Sequence, residues 1–436
     1  MLNNSEIIGA IDIGTTKIAA IAGRKIFSDK IEVVAFATTP SKGIKRGAVL
    51  NIDETVNSIT TVLNTIKKDC GIELSEVYVG IAGQHVMGTK NRCSIVIDTP
   101  DKVIKGEHLS MLYNKMKNQI TDPGEEILEI IPQSYIVDKT TGIENPIGMT
   151  ANLLEGNFHV ISGKMSMVNN IKKCVALAGL KIKALILEPL ASAEAVLTKQ
   201  EKESGVAMID IGGGTSDLAI FKNGKIIHTA VIPIGGNTVT IDIKNRFGIL
   251  EKQAEELKIK HGYALAEKHQ EDVKISVEPL KGREPVEFSH YELNETIQAR
   301  MEEIIHAIMF QIETGGIREK LAGGIVMTGG GSLLKNLKQL TKYISANDVR
   351  IALPTDYISG QYSEIINQPQ YSTAVGLLIK GIHSEDTKDV ENISAIENLN
   401  TEEEKSKEKN KTPKNPDESF LNKLKNRMTK LFDDEE

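Results

Sequence analysis

Apolar positions along the chain fall into two kinds of segment, and the two kinds alternate. Short continuous runs such as "EIIGAIDIG" and "GVAMIDIGGG" predict buried strands, each followed by a turn and a second strand. Apolar residues three and four apart predict helices over residues 53–68, with Asp53 as N-cap, over 166–178, with Ser166 as N-cap, and over 291–312. Because the alternation occurs twice, the sequence predicts an α/β fold with an internal duplication.

Glycine marks several of the predicted turns. Asn223 and Gly224 lie between two apolar runs, which indicates a type I′ hairpin, and Gly71 is placed to end the first helix. Each acid-glycine segment, "DIGTTK" at 12–17 and "DIGGGTSD" at 210–217, joins two strands rather than opening a helix. This excludes a Walker A loop, which also needs GxxxxGK[ST], and it weakens a Rossmann interpretation, which needs GxGxxG before a helix.

Three segments depart from the alternation. Residues 84–162 contain two strand-like runs around a predicted helix near 106–119, and we interpret them as an inserted subdomain. A second insertion is predicted over residues 233–295. From residue 384 the chain becomes polar and charge-dense and has too few large apolar residues to offset its ordering entropy, so residues 384–417 are predicted to form a disordered linker.

Apolar periodicity returns in residues 418–432. One face of the predicted helix is apolar, with Phe420, Leu421, Leu424, Met428, Leu431 and Phe432. The opposite face is polar and mostly basic, with Lys423, Lys425, Asn426, Arg427 and Lys430. This profile predicts an amphipathic helix lying in a membrane interface, anchored most deeply by its two Phe side chains. Docking on the protein's own body or in a partner's groove are the alternatives.

Composition narrows the function classes. The formal net charge of −7 argues against a general nucleic-acid binder, which needs a basic footprint. Three widely spaced cysteines without a CxxC pair make a disulfide framework or a zinc site an unfavoured interpretation and fit a reducing cytoplasm. The start of the chain lacks the basic and long apolar regions of a signal peptide, and no run approaches a membrane span.

The two acid-glycine turns carry the chemistry. An acid at a strand end can hold a metal ion through water, and adjacent glycines let backbone N–H groups approach an anion closely. If the two turns face each other, they can grip one polyphosphate, with Mg²⁺ held between Asp12 and Asp210. The segment "TGGGSLL", a glycine turn at 329–331 before a helix that Ser332 is predicted to cap, would let a nucleoside pass close to the backbone.

These segments resemble known motifs. "DIGTTK", "DIGGGTSD" and "TGGGSLL" resemble the phosphate-1, phosphate-2 and adenosine motifs of the actin/Hsp70/sugar-kinase superfamily, and residues 185–196 and 371–381 resemble its two connecting helices. All five occur in the superfamily's order. Within it, "GIAGQHV" at 80–86 and "IKHGYAL" at 259–265 resemble the FtsA family of bacterial cell-division proteins.

The resemblance implies an actin-like duplicated ATPase fold with an inserted 1C-type, SHS2-like subdomain and a disordered C-terminal tail. The implied subdomains are 1A (1–83 and 163–196), 1C (84–162), 2A (197–232 and 296–383) and 2B (233–295), followed by the linker and the membrane-targeting helix.

The resemblance also implies roles for individual residues around ATP and Mg²⁺. Contacts to the β- and γ-phosphates are implied for one turn, namely Gly14, Thr15, Thr16 and Lys17, and the opposing turn is Gly212, Gly213, Gly214 and Thr215. Mg²⁺ would be held through water by Asp12 and Asp210. The adenosine side would be lined by Gly329, Gly330 and Ser332 and contacted by Glu255 and Lys258, with Glu256 in place of Glu255 if the register slips.

Glu188 matches the acid that orients the attacking water in Hsp70-like relatives, and a purely structural acid before Pro189 is the other interpretation. No Ser-His-Asp or Cys-His set accompanies it. Phosphoryl transfer needs mostly positioning and charge neutralisation, so at most slow hydrolysis is expected.

The function implied is that of an ATP-binding division protein that polymerises into actin-like filaments. It would tether the FtsZ ring, at midcell, to the cytoplasmic face of the cell membrane through the C-terminal helix. The implied partners are the C-terminal peptide of FtsZ, met by residues 233–295, further copies of the chain and other divisome proteins. Two alternatives stay open: a small-molecule kinase or phosphatase of the superfamily, for which no convincing catalytic Asp is found, and a pilus-assembly actin-like protein.

Overall fold

The structure is a computed structural model of the chain. It describes residues 7–26, 30–119, 122–267, 273–278, 284–316, 321–354 and 358–385. The predicted linker from residue 386 onward and the predicted amphipathic helix, 418–432, lie outside the described residues. The pattern of contacts between residues divides the chain into two units, Met1–Ile382 and His383–Glu436. All strands of the described residues belong to the first unit.

Strands and helices alternate along the first unit, as the sequence predicted. The strands are β1 (Ile8–Ile13), β2 (Lys17–Lys25), β3 (Ile31–Pro40), β4 (Ile44–Lys45), β5 (Ala48–Val49), β6 (Glu76–Ile81), β7 (Val86–Val96), β8 (Glu125–Val137), β9 (Thr140–Ile143), β10 (Leu153–Lys164), β11 (Lys181–Leu187), β12 (Val206–Ile211), β13 (Ser216–Lys222), β14 (Lys225–Ile232), β15 (Lys274–Val277), β16 (Val286–Ser289), β17 (Ile325–Thr328), β18 (Val349–Ile351) and β19 (Ile358–Ser359). The helices are α1 (Ile52–Cys70), α2 (Gly106–Lys117), α3 (Met165–Leu177), α4 (Glu188–Val196), α5 (Lys199–Ser204), α6 (Gly236–Phe247), α7 (Glu251–His261), α8 (His290–Thr314), α9 (Leu337–Ser345), α10 (Ser363–Ile366) and α11 (372–385).

Two sheets repeat one layout, which confirms the predicted duplication. In the first sheet the order is β11-β6-β1-β2-β3-β19, and in the second it is β14-β13-β12-β17-β18. Each contains a three-strand antiparallel meander, β1-β2-β3 or β12-β13-β14, and a parallel strand, β6 or β17, beside the meander's first strand. Each acid-glycine turn therefore joins the first two strands of a meander. The turn lies at the same end of the sheet as the C-terminus of the parallel strand, β6 or β17.

The segment after β6 forms a sheet of its own. Its order is β7-β10-β8-β9, and α2 packs on it to enclose a small core that includes Leu112, Ile130 and Phe158. The predicted strands and helix of the first insertion are thus present. We call the part of the chain built around the first sheet the first lobe, and the part built around the second sheet the second lobe. β7 and β10 run antiparallel through Val86–Gly163, so the inserted segment leaves the first lobe and returns to it at neighbouring points.

The second predicted insertion has little strand. It contains α6, α7 and the short hairpin β15–β16, whose residues pack into the core of the second lobe. The rings of Phe247, at the end of α6, and Phe288, on β16, stack with centroids 3.8 Å apart. Apolar burial rather than a sheet therefore holds this segment to the second lobe.

The sequence predicted the positions of the turns correctly, but it predicted the wrong N-cap residues for α1 and α3. Asn223 and Gly224 have φ of 54° and 70°, as a type I′ turn requires, and Gly71 ends α1 with φ of 66°. The prediction of Asp53 as N-cap was wrong, because the Asn51 side chain accepts from the N–H of Glu54.

Ser166 was also wrongly predicted as a cap. α3 begins one residue earlier, at Met165, and its N-cap position is Lys164, which has no side-chain capping bond. β10 runs directly into this helix at Lys164, so the chain has no loop residue in which a Ser cap could act.

The two lobes are joined where α4 and α11 cross. A Cβ at Gly376 on α11 would overlap the backbone carbonyl of Ala191 on α4, so the two helices approach as closely as their backbones allow. Within the described residues, no helix combines the length and the apolar character that crossing a bilayer would need.

Candidate functional site

The first acid-glycine turn lies between β1 and β2. Asp12, at the end of β1, pairs with Ala19 on β2. The backbone N–H of Gly47, between β4 and β5, donates to Thr15 Oγ1 at 3.2 Å. A Cβ at Gly14 would lie 2.9 Å from the carbonyl oxygen of Lys17, so this turn needs glycine for steric reasons.

The second turn, between β12 and β13, is oriented by the start of α6. The N–H groups of Gly236 and Asn237 donate to the carbonyl oxygens of Gly212 and Gly213 at 2.9 and 2.8 Å. In a trans peptide the C=O of one residue and the N–H of the next point in opposite directions. The N–H groups of Gly213 and Gly214 therefore point away from α6, where they are available to an anion.

The two turns face each other and touch. A Cβ at Gly214 would lie 2.6 Å from Thr15 Oγ1, and one at Gly213 would overlap Thr16 Oγ1. Because these residues come from different lobes, the turns form opposite walls of one cleft.

A third glycine turn follows β17. Gly329 has φ of 84°, in the region that favours glycine, and Gly330–Leu333 form a 3₁₀ turn. Ser332 was predicted to cap the next helix, and this prediction was wrong. Its buried hydroxyl donates instead to the carbonyl oxygen of Gly329 at 2.7 Å. α9 begins only at Leu337, after Asn336 in a left-handed conformation.

The residues that α7 brings to the site are Glu255 and Lys258. Lys258 Nζ donates to the carbonyl oxygen of Gly236 at 2.9 Å and to Thr240 Oγ1 at 2.8 Å, and it lies 2.6 Å from Glu255 Oε2. Burial lowers the pKa of Lys258, and Glu255 opposes that shift. Glu256 instead makes a surface ion pair with Lys260 at 3.6 Å and does not line the site, so of the two register alternatives only Glu255 is at the cavity.

A cavity of about 380 Å³ lies between the three turns and α7. Its walls include fifteen of the residues singled out from the sequence: Asp12, Gly14, Thr15, Thr16, Lys17, Glu188, Asp210, Gly212, Gly213, Gly214, Thr215, Glu255, Lys258, Gly329 and Gly330. Ser332 is not among the lining residues, because it lies behind the turn that it braces. The volume falls within the range of about 300–1,000 Å³ that small-molecule sites occupy.

Four carboxyl groups meet at the floor of the cavity. Asp12, Asp210 and Glu188 were singled out from the sequence, and Asp217, opposite Asp210 in the β12–β13 pair, was not. Burial raises the pKa of each, that of Asp12 to about 6, and the neighbouring carboxylates raise those of Asp12, Glu188 and Asp217 further. This arrangement attracts positive charge.

Lys17 is the cation whose charge offsets the cluster in part. It lowers the pKa of Asp12, Glu188 and Asp210, and its Nζ donates to the carbonyl oxygen of Gln370 at 2.6 Å. Glu188 lies at the start of α4, and a Cβ at Gly80 would come within 3.0 Å of its side chain. A glycine at position 80 thus makes room for this acid.

Several lining residues were missed from the sequence. Asn237, Met301, Lys335 and Gln370 line the cavity, but they come from separate elements and belong to no motif that we used. Thr373 also lines the cavity, and it lies in the segment 371–381 that was singled out only as a connecting helix. Asp217 did have a signal, since it is the last letter of "DIGGGTSD" and its pairing with Asp210 follows from a four-residue turn between two strands. One of its oxygens, Oδ1, is buried and has no hydrogen-bond partner in the described part of the chain.

Two protein-family models match the chain. Residues 207–376 match "Cell division protein FtsA", and residues 83–162 match "SHS2 domain inserted in FTSA". The second match covers the segment that forms the separate four-stranded sheet.

Proteins of similar sequence are cell-division proteins FtsA. The chain is 34% identical over 384 residues to that of Pseudomonas aeruginosa, with 88% of this chain and 91% of the relative covered. It is 31% identical over 386 residues to that of Escherichia coli, with 87% and 91% covered. The protein of Bacillus subtilis is 32% identical over 378 residues, with 86% and 84% covered.

Solved structures of similar fold are actin-like. The PilM-PilN type IV pilus biogenesis complex has a chain that aligns with a TM-score of 0.62 at 15% identity, over 86% of this chain and 98% of that one. MreB5 of Spiroplasma citri, bound to ADP, aligns with a TM-score of 0.52 at 15% identity, over 90% and 99%. These likenesses concern the fold. The sequence relatives and both domain matches show that the chain belongs to the FtsA family of bacterial cell-division proteins.

Proposed function

We propose that the chain binds ATP with Mg²⁺ in the cavity between the lobes. The observation that carries the proposal is the meeting of the two glycine turns over a floor of buried carboxyl groups. The backbone N–H groups of Gly213 and Gly214, turned away from α6, are suited to phosphate oxygens. Lys17 supplies a positive charge beside the first turn.

The end of the cavity at α7 suits the nucleoside. Its walls there are partly apolar, with Ile259, Met301 and Leu333, and Glu255 and Lys258 add polar atoms. Such a mixture is typical of small-molecule sites, where apolar surface provides area and a few polar groups fix orientation.

The carboxyl groups fit a magnesium ion that keeps much of its water. Among the described residues, no group of three or more His, Cys, Asp or Glu side chains is arranged to ligate a metal ion directly. Mg²⁺ commonly uses only one or two carboxylates together with waters and substrate phosphates. Burial raises the pKa values of Asp12 and Asp210, and the Asp210 charge raises that of Asp12 further. A bound cation would favour the ionised form of both carboxyl groups. When bound, the ion would supply charge neutralisation for the phosphates.

In slow hydrolysis of ATP, Glu188 would be the residue that orients the attacking water. This acid lines the cavity at the start of α4, and burial together with the nearby Asp12 raises its pKa. We propose that it holds the attacking water molecule by hydrogen bonding. With no other acid–base pair proposed beside it, slow turnover is expected.

We also propose that the protein forms filaments and tethers the FtsZ ring to the cytoplasmic face of the membrane at midcell. Membership of the FtsA family supports the division role over a small-molecule kinase or a pilus-assembly protein. The periodicity of residues 418–432 supports a membrane-binding helix. Residues 233–295 are the segment that we propose meets the FtsZ C-terminal peptide, and other divisome proteins would be further partners.

The nucleotide proposal is tested by calorimetry and thermal unfolding with ATP and MgCl₂. The wild-type protein should bind and should melt at a higher temperature when saturated, because a ligand that binds only the folded state stabilises it. Asp210→Ala should lose most of the magnesium-dependent part of this shift. Absence of both binding heat and thermal protection in the wild-type protein would refute the proposal.

The cellular part is tested by imaging a tagged chain with and without residues 418–436. A midcell ring that becomes diffuse on truncation supports the tethering function. A ring that persists unchanged without those residues would show that the terminal segment is not the tether.

A further inference from the structure

Asp210 is held by two hydroxyl groups that reach it from different helices. Ser192 Oγ donates to Asp210 Oδ2 at 2.7 Å, and Thr373 Oγ1 donates to the same oxygen at 3.2 Å. The two hydroxyl oxygens lie 3.0 Å from each other. All three side chains are buried, so water does not compete freely for these bonds.

The two hydroxyl groups come from the crossing that joins the lobes. Ser192 lies in the middle of α4 and Thr373 in the first turn of α11. At this crossing Gly376 lies against the backbone of Ala191, and any Cβ at position 376 would overlap it. The spacing of the two donors is therefore fixed by backbone contact rather than by flexible side chains.

The other carboxylate oxygen has a different neighbour. Asp210 Oδ1 lies against Gly329, where a Cβ would overlap it, and both residues line the cavity. With Oδ2 engaged by two donors, rotation of the carboxylate would break both bonds. Oδ1 is thus the oxygen held on the side of the glycine turn.

We propose that Ser192 and Thr373 are positioning residues, which orient the Asp210 carboxylate so that Oδ1 is presented to a magnesium ion and its waters in the cavity. The assignment rests on the proposed ATP and Mg²⁺ site. It goes beyond that proposal because neither hydroxyl belongs to a glycine turn, and the two are brought to Asp210 by the helix crossing. Groups that orient a metal-binding carboxylate typically change metal affinity by about 10- to 100-fold when removed.

The test measures magnesium dependence and not turnover. The full chain is saturated with a non-hydrolysable ATP analogue, MgCl₂ is titrated, and the melting temperature is followed to obtain the midpoint concentration. Ser192→Ala and Thr373→Val should each raise the MgCl₂ midpoint by about tenfold. Thr373→Ser, which keeps the donor, should recover most of the loss seen with Thr373→Val.

Two further variants separate positioning from general damage. Thr341→Val removes a buried hydroxyl on α9 that, among the described residues, bonds only to the carbonyl oxygen of Leu337 in its own helix, at 2.9 Å. This variant should leave the midpoint unchanged. In an Asp210→Asn background, Ser192→Ala should add little to the shift, because its effect passes through the carboxylate.

The outcomes distinguish this assignment from the proposal on which it rests. A wild-type protein that binds no nucleotide overturns both. If the wild-type protein binds nucleotide, and Ser192→Ala and Thr373→Val have the same MgCl₂ midpoint as the wild type, only the positioning role is overturned. A tenfold shift that persists in the Asp210→Asn background also overturns it, since the hydroxyls would then act by another route.

Discussion

Thr16 in the first glycine turn and Gly213 in the second are in direct contact across the cleft. A Cβ at Gly213 would overlap Thr16 Oγ1 and would lie 3.2 Å from Thr16 Cβ. The backbone of Gly213 is not in a left-handed conformation, so its lack of a side chain matters for space alone. The two lobes can approach this closely because residue 213 has no Cβ atom.

Gly213→Ala should push the two turns apart. Overpacking of a tight contact typically costs about 2 kcal/mol, which corresponds to a roughly thirtyfold loss of nucleotide affinity if the closed turns are the binding state. The melting temperature without nucleotide should fall as well. Calorimetry and thermal unfolding measure the two effects.

A matched pair of variants shows whether the contact is the cause. Gly106→Ala has open space around its Cβ and an ordinary backbone, so it should not lower the melting temperature. Thr16→Ala removes the overlapping hydroxyl, and it should be more favourable in the Gly213→Ala background than in the wild type. Purely additive effects of the two substitutions would contradict the contact.

Asp12 makes nucleotide-free stability depend on pH. Its pKa is raised from 3.8 to about 6, first by burial, so the folded state holds this proton more tightly than the unfolded chain does. The group's favourable contribution is complete below pH 3.8 and is lost as pH rises through about 6. Asp12→Asn should therefore be more stable than the wild type above pH 6, by up to about 3 kcal/mol, and the difference should shrink towards pH 4.

Urea unfolding between pH 4 and 8, without nucleotide or magnesium, measures this difference. Asp69→Asn, an exposed position near the end of α1, should follow the wild type across the range. Asp12→Asn should lose magnesium-dependent stabilisation by ATP even though it is more stable alone. A variant less stable than the wild type at pH 8 would show that the carboxylate is a net stabiliser of the empty site.

Glu255 and Glu256 are adjacent, but only the first lies at the cavity. Glu255→Gln removes the charge paired with Lys258 Nζ, which also braces the start of α6 through Gly236. Nucleotide affinity should fall by about tenfold, equivalent to one charged hydrogen bond of ~1.5 kcal/mol. Glu256→Gln, which breaks only a surface pair, is the control, and equal losses in both variants would mean that net charge rather than position matters.

The duplicated sheets could be predicted because their signals are local. Continuous apolar runs, an Asn-Gly pair and two acid-glycine turns each depend on a few neighbouring residues. Helix starts were harder, since Asn51 and Asp53 are both residue types that cap helices, and in the structure the cap of α1 is Asn51. For α3, a strand running straight into the helix leaves no place for a cap at Ser166.

Apart from Asp217, the residues missed in the site are those brought in by tertiary packing. Ser192 and Thr373 reach Asp210 only because α4 and α11 cross with Gly376 against Ala191. No spacing along the chain encodes that crossing. The capping role predicted for Ser332 was wrong because its hydroxyl donates to Gly329, in its own glycine turn, and not to a backbone group at the start of α9.

The terminal segment gives a prediction that depends on sequence alone. Phe420→Glu with Leu424→Glu places two charges on the predicted apolar face of residues 418–432 and should release the protein from anionic liposomes in co-sedimentation. Asn422→Glu with Asn426→Glu adds the same charge on the polar face. The control pair should weaken binding only in part, through repulsion from the lipid headgroups, which adding salt reduces. If the two double variants bind liposomes equally, net charge alone governs binding to the membrane, and the prediction of a buried apolar face is wrong.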